Sequence, residues 1–310
     1  MEYVETGDAR IPKLGLGTWQ NTGSECTETV RTALDVGYRH VDTAQAYDNE
    51  AAVGTGIARS DVDREAVFLT TKVWRSNLRY EDVLDSVHES LDELGVDYVD
   101  LLLIHWPHPR IPVAETLDAM TELHESGVVE HVGVSNFTRS QLREARRVAD
   151  VPIVADQVLY HPYKDQSDLK QYCTANDVAL TAYSPLARGD VLSDEVLGRI
   201  GERYDRTAAQ VALRWLVQQD GVVAIPKSSS RTHLEENLAV FEFSLTDEEM
   251  ARIDDRGGSL GIRLRNRLPL AIDGDDVTGA VERKELLVRG ASALVRIPRA
   301  VRCDLLIART

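Results

Sequence analysis

The sequence predicts an α/β protein that folds as a (β/α)8 TIM barrel with an N-terminal β-hairpin. Strand-like and helix-like patterns alternate eight times within about 250 residues, which favours a parallel sheet closed into a barrel. Within the predicted strand at residues 98–104, the run Leu101-Leu102-Leu103-Ile104 is apolar on both faces, as strands covered by helices are. An open dinucleotide-binding sheet would carry a G-x-G-x-x-G turn, and neither Gly15-Leu16-Gly17 nor Gly54-Thr55-Gly56 completes one.

The first half of the chain begins with a hairpin at residues 3–16, which turns at Gly7 and Asp8. Four strands and four helices follow in alternation. The strands are predicted at residues 13–17, 38–42, 66–72 and 98–104, and the helices at 27–36, 49–59, 80–94 and 113–126. Gly37, Gly95 and Gly127 follow three of these helices and are typical helix-ending residues.

The second half continues the same alternation, with Thr138 as a candidate N-cap. Strands are predicted at residues 129–134, 151–157, 178–183 and 222–225, and helices at 139–149, 166–176, 194–204, 208–219 and 232–238. No glycine-rich or proline-rich linker divides the repeats. We therefore expect one barrel domain over residues 1–255.

Composition and charge exclude several functional classes. The 310 residues are 43% hydrophobic and carry a net charge of −16, which argues against nucleic acid or an anionic membrane as partner. No apolar run reaches the roughly 18 residues of a membrane span, and the N-terminus lacks a secretory signal. Cys26, Cys173 and Cys303 form neither a disulfide framework nor a metal-binding motif. We expect a cytoplasmic monomer, and the acidic, lysine-poor composition favours a halophilic protein.

The C-terminal segment, residues 256–310, differs from the rest of the chain in charge. It carries 11 basic and 6 acidic residues, whereas the first 255 residues carry 24 basic and 45 acidic residues. Its apolar residues follow no clear period. We expect an atypical basic tail that is disordered or non-native, and two origins remain open. A shifted reading frame could have replaced the native end, or the segment could be a genuine extension that packs elsewhere or recruits a partner.

Four titratable residues stand at the ends of three neighbouring predicted strands. Asp42 ends one strand, with Tyr47 on the loop beyond it, and Lys72 and His105 end the next two. Strand ends of a barrel converge on one face, so we expect these side chains to share a pocket.

These residue types suit proton delivery to a carbonyl oxygen. We expect the ammonium of Lys72 to lower the pKa of Tyr47, the carboxylate of Asp42 to keep Lys72 charged, and a neutral His105 to donate a hydrogen bond. The set lacks an electron source and the sequence shows no metal-ligand cluster, so a soluble hydride donor is implied.

At this point the chain resembles the aldo-keto reductase family, most closely its small prokaryotic members similar to 2,5-diketo-gluconate reductases. The resemblance spans about residues 3–253 in one order of motifs. The motifs are Gly15-Leu16-Gly17-Thr18-Trp19, His40-Val41-Asp42-Thr43-Ala44 with Tyr47, Thr71-Lys72-Val73-Trp74, Leu103-Ile104-His105-Trp106-Pro107, Gly133-Val134-Ser135-Asn136-Phe137, Asp156-Gln157, Tyr183-Ser184-Pro185-Leu186 and Ile225-Pro226-Lys227-Ser228.

The resemblance implies an NADPH-dependent reductase of aldehydes and small ketones, with keto sugars and keto acids as further candidates. It implies Tyr47 as general acid, with Asp42, Lys72 and His105 completing a catalytic tetrad. The implied cofactor-binding residues are Thr18, Trp19, Asp42, Ser135, Asn136, Gln157, Tyr183, Ser184, Pro185, Leu186, Ile225, Lys227, Ser228, Arg231, Glu236 and Asn237. The implied substrate-binding residues are Trp19, Trp74, His105 and Trp106.

Two alternatives stay open. The family often has an arginine six residues after the lysine of the Ile-Pro-Lys motif, and His233 stands there in this chain, so NADH is a second candidate cofactor. A non-catalytic, nucleotide-sensing barrel subunit is the alternative to an enzyme.

Overall fold

Eight parallel strands form the central sheet of the computed structural model, which describes residues 1–258. Each strand pairs with the next along the chain. The strands are β3 (Leu16–Gly17), β4 (His40–Asp42), β5 (Phe68–Val73), β6 (Val99–Ile104), β7 (Val129–Ser135), β8 (Ile153–Leu159), β9 (Ala179–Tyr183) and β10 (Val222–Ala224). An antiparallel hairpin precedes them, with β1 at Tyr3–Thr6 and β2 at Ala9–Pro12.

The sheet closes on itself where the last strand returns to the first. Leu14 and Ala224 form a parallel bridge, and the Gly15 N–H donates to the Ala224 carbonyl at 2.9 Å. At this closure Gly17 lies against the backbone of Ile225. A Cβ at position 17 would be 2.8 Å from the Ile225 carbonyl oxygen, so only glycine fits there. The predicted (β/α)8 barrel is confirmed.

Helices connect the strands and cover the outside of the sheet. They are α1 (Gly23–Val36), α2 (Glu50–Ala58), α3 (Tyr80–Leu94), α4 (Val113–Glu125), α5 (Arg139–Val148), α6 (Ser167–Ala175), α7 (Glu195–Glu202), α8 (Ala208–Val217), α9 (Arg231–Leu238) and α10 (Asp247–Gly258). Gly37 and Gly95 end α1 and α3 in the left-handed conformation, as expected. Thr138 caps α5 in a capping box with Gln141.

Two predicted boundaries are wrong by several residues, and one helix is missing from the prediction. The hairpin ends at Pro12 rather than at residue 16, because the following residues turn to join the barrel. Helix α1 begins at Gly23, four residues before the predicted start, since its first turn is polar and exposed and breaks the apolar pattern. Helix α10 was not predicted, because its sequence is mostly polar and shows no clear apolar period. Met250 and Ile253 are its apolar residues that pack against the core.

The hairpin closes the amino-terminal end of the barrel. Val4, Ala9 and Ile11 are buried in one cluster with the barrel-interior side chains, which include Leu103 and Val223. A larger apolar layer lies between the strands and the helices. The opposite end, where the strands terminate, is therefore the open end of the barrel.

Within the described part of the chain, no helix has the length and apolarity needed to cross a membrane. The predicted tail, residues 256–310, lies outside the described residues from position 259 onward.

Candidate active site

The carboxyl ends of three adjacent strands place the four predicted residues at the open end of the barrel. Asp42 is the last residue of β4, Lys72 is next to last in β5, and His105 follows β6 directly. Tyr47 ends a short 3-10 helix in the loop after β4. The strand register pairs Lys72 with Leu103, so the second and third strand ends lie side by side.

The Lys72 ammonium lies at the centre of this site and is fully buried. Its Nζ donates to Asp42 Oδ1 at 2.6 Å, to the Thr43 carbonyl at 2.7 Å and to the Tyr47 hydroxyl oxygen at 3.4 Å. All three ammonium protons are thus directed at acceptors. Asp42 Oδ2 accepts from Gln157 Nε2 at 2.6 Å, which leaves both oxygens of the buried carboxylate hydrogen-bonded.

Tyr47, His105 and Trp74 form a chain of aromatic ring contacts. The rings of Tyr47 and His105 meet edge to face with centroids 5.7 Å apart, and those of His105 and Trp74 do so at 5.1 Å. His105 Nδ1 is buried and has no hydrogen-bond partner among residues 1–258. These ring contacts hold the imidazole beside the phenol and leave its Nδ1 atom without a hydrogen bond to residues 1–258.

Burial and the local charges set the protonation states. Burial, and then the Asp42 charge, raise the pKa of Tyr47 well above its ordinary value, so the phenol is protonated at neutral pH. The expected lowering of the Tyr47 pKa is therefore wrong in its net direction, because desolvation of the half-buried phenolate is the largest effect. Burial and then Lys72 lower the pKa of His105 well below its ordinary value, so the imidazole is neutral. Burial lowers the pKa of Lys72, and Asp42 opposes that change.

The sequence interpretation missed three polar residues that hold the Tyr47 loop. Gln45 accepts from the Trp74 N–H at 2.8 Å and donates to the Ser86 carbonyl at 3.1 Å, so it ties this loop to the next strand end and to α3. No motif marks Gln45 in the sequence.

Asn49 and Glu50 are the other two. The Asn49 amide accepts from Thr43 Oγ1 at 2.7 Å and donates to the Thr18 and Asn21 carbonyls at 2.9 and 2.8 Å. Glu50 is buried and accepts a hydrogen bond from Thr71 Oγ1 at 2.5 Å. Thr71 is the residue immediately before Lys72. Their positions two and three residues after Tyr47 were the available signal.

A second cluster joins the ends of β7, β8 and β9 beside Asp42. Ser135 Oγ donates to the Gln157 carbonyl at 2.9 Å, and Asn136 Nδ2 donates to Ser135 Oγ and to the His105 carbonyl at 3.0 and 3.1 Å. The Tyr183 hydroxyl donates to Asn136 Oδ1 at 2.9 Å. The structure thus brings Ser135, Asn136, Gln157 and Tyr183 into one network that reaches Asp42 through Gln157.

A third group forms the rim between the first and last strands. Thr18 is buried and its hydroxyl donates to the Asp42 carbonyl at 2.9 Å. Trp19 lies beneath the Arg188 guanidinium, whose carbon is 5.8 Å from the ring centroid. Lys227 is exposed and donates to the Gln20 carbonyl at 3.2 Å. The chain around Ser184, Pro185, Leu186 and Ile225 connects this rim to β9 and β10.

The remaining predicted residues are Ser228, just before α9, three residues on α9, and Trp106 after β6. Ser228 Oγ accepts from the Ser230 N–H at 3.2 Å, and Ser230 caps the helix. Arg231 is exposed and paired with Glu235, with Nε 2.9 Å from Oε1. Asn237 is buried and interacts with the Tyr38 hydroxyl, while Glu236 is partly exposed. Trp106 is half-buried beside His105.

The described residues contain no group of three or more His, Cys, Asp and Glu side chains that could hold a metal ion. Proton transfer from the Tyr47 phenol beside the buried Lys72 ammonium is the chemistry that this arrangement can perform.

Comparison with known proteins places this geometry among oxidoreductases. The sequence model of the aldo/keto reductase family matches residues 13–256. The chain is 42% identical over 250 residues to the 9,11-endoperoxide prostaglandin H2 reductase of Trypanosoma cruzi, which covers 79% of this chain and 88% of that protein. It is also 42% identical over 245 residues to the glyoxal reductase of Bacillus subtilis, with the same coverage of 79% and 88%.

A solved structure gives the same result. A protein provisionally described as 2,5-diketo-D-gluconic acid reductase B superimposes with a TM-score of 0.81 and 47% identity, over 83% of this chain and 91% of that chain. Fold and sequence therefore agree over the part of the chain that carries the site.

Proposed function

The chain belongs to the aldo/keto reductase family, and we propose that it reduces aldehydes and small ketones, keto sugars and keto acids among them, with NADPH as electron donor. The observation that carries the proposal is the contact between the Lys72 ammonium, Asp42 and the protonated Tyr47 hydroxyl at the barrel mouth. The family assignment supplies the reaction class, and this contact supplies the residues for it.

The residues of the mouth fit a nicotinamide cofactor. Ser135, Asn136 and Gln157 offer amide and hydroxyl groups at one spot, which suits a carboxamide, and the half-buried Tyr183 ring beside them suits a flat ring. Lys227 is an exposed cation at the outer rim, where it donates to the carbonyl of Gln20. An ammonium in this position suits a phosphate group.

Further cofactor contacts are proposed around this frame. Thr18, Trp19 and Asp42 would border the nicotinamide end. The segment of Ser184, Pro185, Leu186 and Ile225 would line the pyrophosphate, and Ser228, Arg231, Glu236 and Asn237 would surround the adenosine. When bound, the cofactor supplies the hydride that reduces the carbonyl carbon.

Tyr47 is the proton donor to the carbonyl oxygen. Its oxygen accepts a hydrogen bond from Lys72, which leaves its own O–H proton free to point at a substrate. Lys72 then offsets the negative charge that develops on the phenol oxygen, and Asp42 keeps the amine charged and in place.

His105 orients the substrate. Its pKa is lowered by burial, so the neutral ring can donate a hydrogen bond to the same carbonyl oxygen without adding charge. Trp19, Trp74 and Trp106 supply apolar walls for small carbonyl compounds.

An activity assay tests the proposal. Purified protein is mixed with NADPH and a panel of small aldehydes, and loss of the reduced nicotinamide is followed by absorbance. Oxidation that depends on the aldehyde supports the proposal. Nucleotide binding without turnover of any aldehyde would instead identify a nucleotide sensor.

The preference for NADPH over NADH depends on the basic residues that would face the 2′-phosphate of NADPH. Arg231 is engaged by Glu235 and His233 stands where the family often has arginine, so Lys227 carries most of the preference for NADPH. We propose NADPH as the better donor and NADH as a usable one.

A further inference from the structure

Three arginines lie on the loops that follow β5 and β6, next to the proposed substrate pocket. Arg75 directly follows Trp74, whose ring contacts His105, and Arg79 precedes the first residue of α3. Arg110 lies on the loop that begins with His105. We call Arg75, Arg79 and Arg110 the arginine rim.

His108 organises the centre of the arginine rim. Its Nδ1 accepts hydrogen bonds from the Arg110 and Ile111 N–H groups at 3.1 and 3.0 Å, so the ring holds the loop after β6 in shape. Burial, followed by the positive charges of Arg110, Arg75 and Arg79, lowers the pKa of His108. Arg75 and Arg110 thus lie on the two loops that carry Trp74 and His105, at the ends of β5 and β6.

Much of the positive charge of the arginine rim is not neutralised by the protein. Arg79 pairs with Glu115, with Nη1 3.3 Å from Oε1. Arg75 and Arg110 are exposed, and neither forms an ion pair or a side-chain hydrogen bond within residues 1–258. Glu144 lines the neighbouring cavity, but it is paired with Arg147.

The unpaired positive charge of the arginine rim contrasts with the acidic composition of the chain. The first 255 residues carry 24 basic and 45 acidic groups, so the protein as a whole repels anions. Arg75 and Arg110 are two unpaired positive charges, within residues 1–258, on loops that border the proposed pocket of this acidic protein.

We propose that Arg75 and Arg110 select carbonyl substrates that bear a second, negatively charged group, such as the carboxylate of a keto acid or sugar acid. This inference rests on the proposed function and specifies its substrate class. Arg79 contributes less, because Glu115 already engages it.

The size of the effect follows from exposure. An exposed arginine gains modest Coulomb energy from a carboxylate, which corresponds to roughly a threefold change in kcat/KM for each residue and about tenfold for both. Salt screens such contacts, so the preference for an anionic substrate should weaken between about 0.1 M and 1 M salt.

The test compares succinic semialdehyde, which carries a carboxylate, with neutral butanal. The measured quantity is the ratio of their kcat/KM values with NADPH. A second pair, glyceraldehyde 3-phosphate and glyceraldehyde, distinguishes carboxylate from phosphate as the recognised anion. The variants are Arg75→Gln, Arg110→Gln and the double variant. Arg199→Gln is the matched control, because it removes the same charge from an exposed position on α7.

We expect wild type to favour the anionic member of at least the carboxylate pair, and the double variant to lower that ratio about tenfold, with the control unchanged. A wild-type ratio near one, or a ratio that the double variant leaves intact, would overturn the inference. Failure to reduce any of the four compounds would instead count against the proposed function itself.

Discussion

Replacing Glu50 by Gln should make the protein more stable at neutral and alkaline pH. Glu50 is 3% exposed and lies behind the catalytic strand ends, where it accepts from Thr71 Oγ1 at 2.5 Å and from Ser90 Oγ at 3.2 Å. Glu93 and Lys72 are the charged groups that act on it. Burial is the largest effect and raises the pKa of Glu50 from 4.5 to about 7.

The sign of the pH dependence follows from proton binding. Between pH 4.5 and about 7 the unfolded chain releases the Glu50 proton while the folded chain keeps it, so folding becomes less favourable as pH rises. Because one pKa unit corresponds to about 1.4 kcal/mol, the gap between the two pKa values corresponds to roughly 3 kcal/mol. The contribution is fully present below pH 4.5 and is lost above about pH 7.

Urea unfolding of wild type and Glu50→Gln, followed by tryptophan fluorescence from about pH 5 to 8, measures this effect. Glutamine keeps the volume and an acceptor oxygen for Thr71, so the two proteins should be similar at the acid end. The variant should gain about 3 kcal/mol relative to wild type by the alkaline end. Glu89→Gln, on the exposed face of α3, is the matched control and should show no such trend. A difference that does not vary with pH would refute the reasoning.

Three further predictions concern the loops, the cofactor and salt. Asn49→Ala should cost about 2–4 kcal/mol of unfolding free energy, because it leaves the Thr43 hydroxyl and the Asn21 carbonyl without their partner and removes one of two hydrogen bonds to the Thr18 carbonyl; a loss below about 1 kcal/mol in urea unfolding would contradict this. Lys227→Gln should lower the ratio of NADPH to NADH affinity about tenfold, measured by fluorescence quenching, since the lysine would lose a phosphate contact; equal losses for both cofactors would argue against it. Stability should rise between about 0.1 M and 2 M KCl, because salt screens the net charge of −16, and a stability maximum at the low-salt end of a thermal unfolding series would end the halophilic interpretation.

The barrel itself could be predicted because periodicity and helix-ending residues agree along the chain. Each of the eight predicted strands overlaps an observed one, and α3 has the predicted bounds because Gly95 in the left-handed conformation ends it. Helix α10 escaped prediction because most of its residues are polar, so its position depends on tertiary packing around Ile253.

The positions of the four titratable residues could be predicted because strand ends of a barrel converge. Their protonation could not. The sequence places Lys72 near Tyr47 but does not show how strongly the fold desolvates the two groups, and desolvation has a larger effect on their pKa values than the neighbouring charges. Gln45 was missed for a related reason, since its bonds to the Trp74 loop and to α3 join segments that are distant in sequence.

The turnover of Tyr47→Phe with NADPH and a small aldehyde tests the central claim most directly. Phenylalanine removes the hydroxyl that Lys72 contacts and keeps the ring that packs on His105. We predict that kcat falls by at least about a hundredfold while the NADPH dissociation constant stays within about threefold. Tyr80→Phe, which removes a hydroxyl bonded to Glu122 on the helical surface, should keep the wild-type rate. A Tyr47→Phe enzyme with near wild-type turnover would contradict the account.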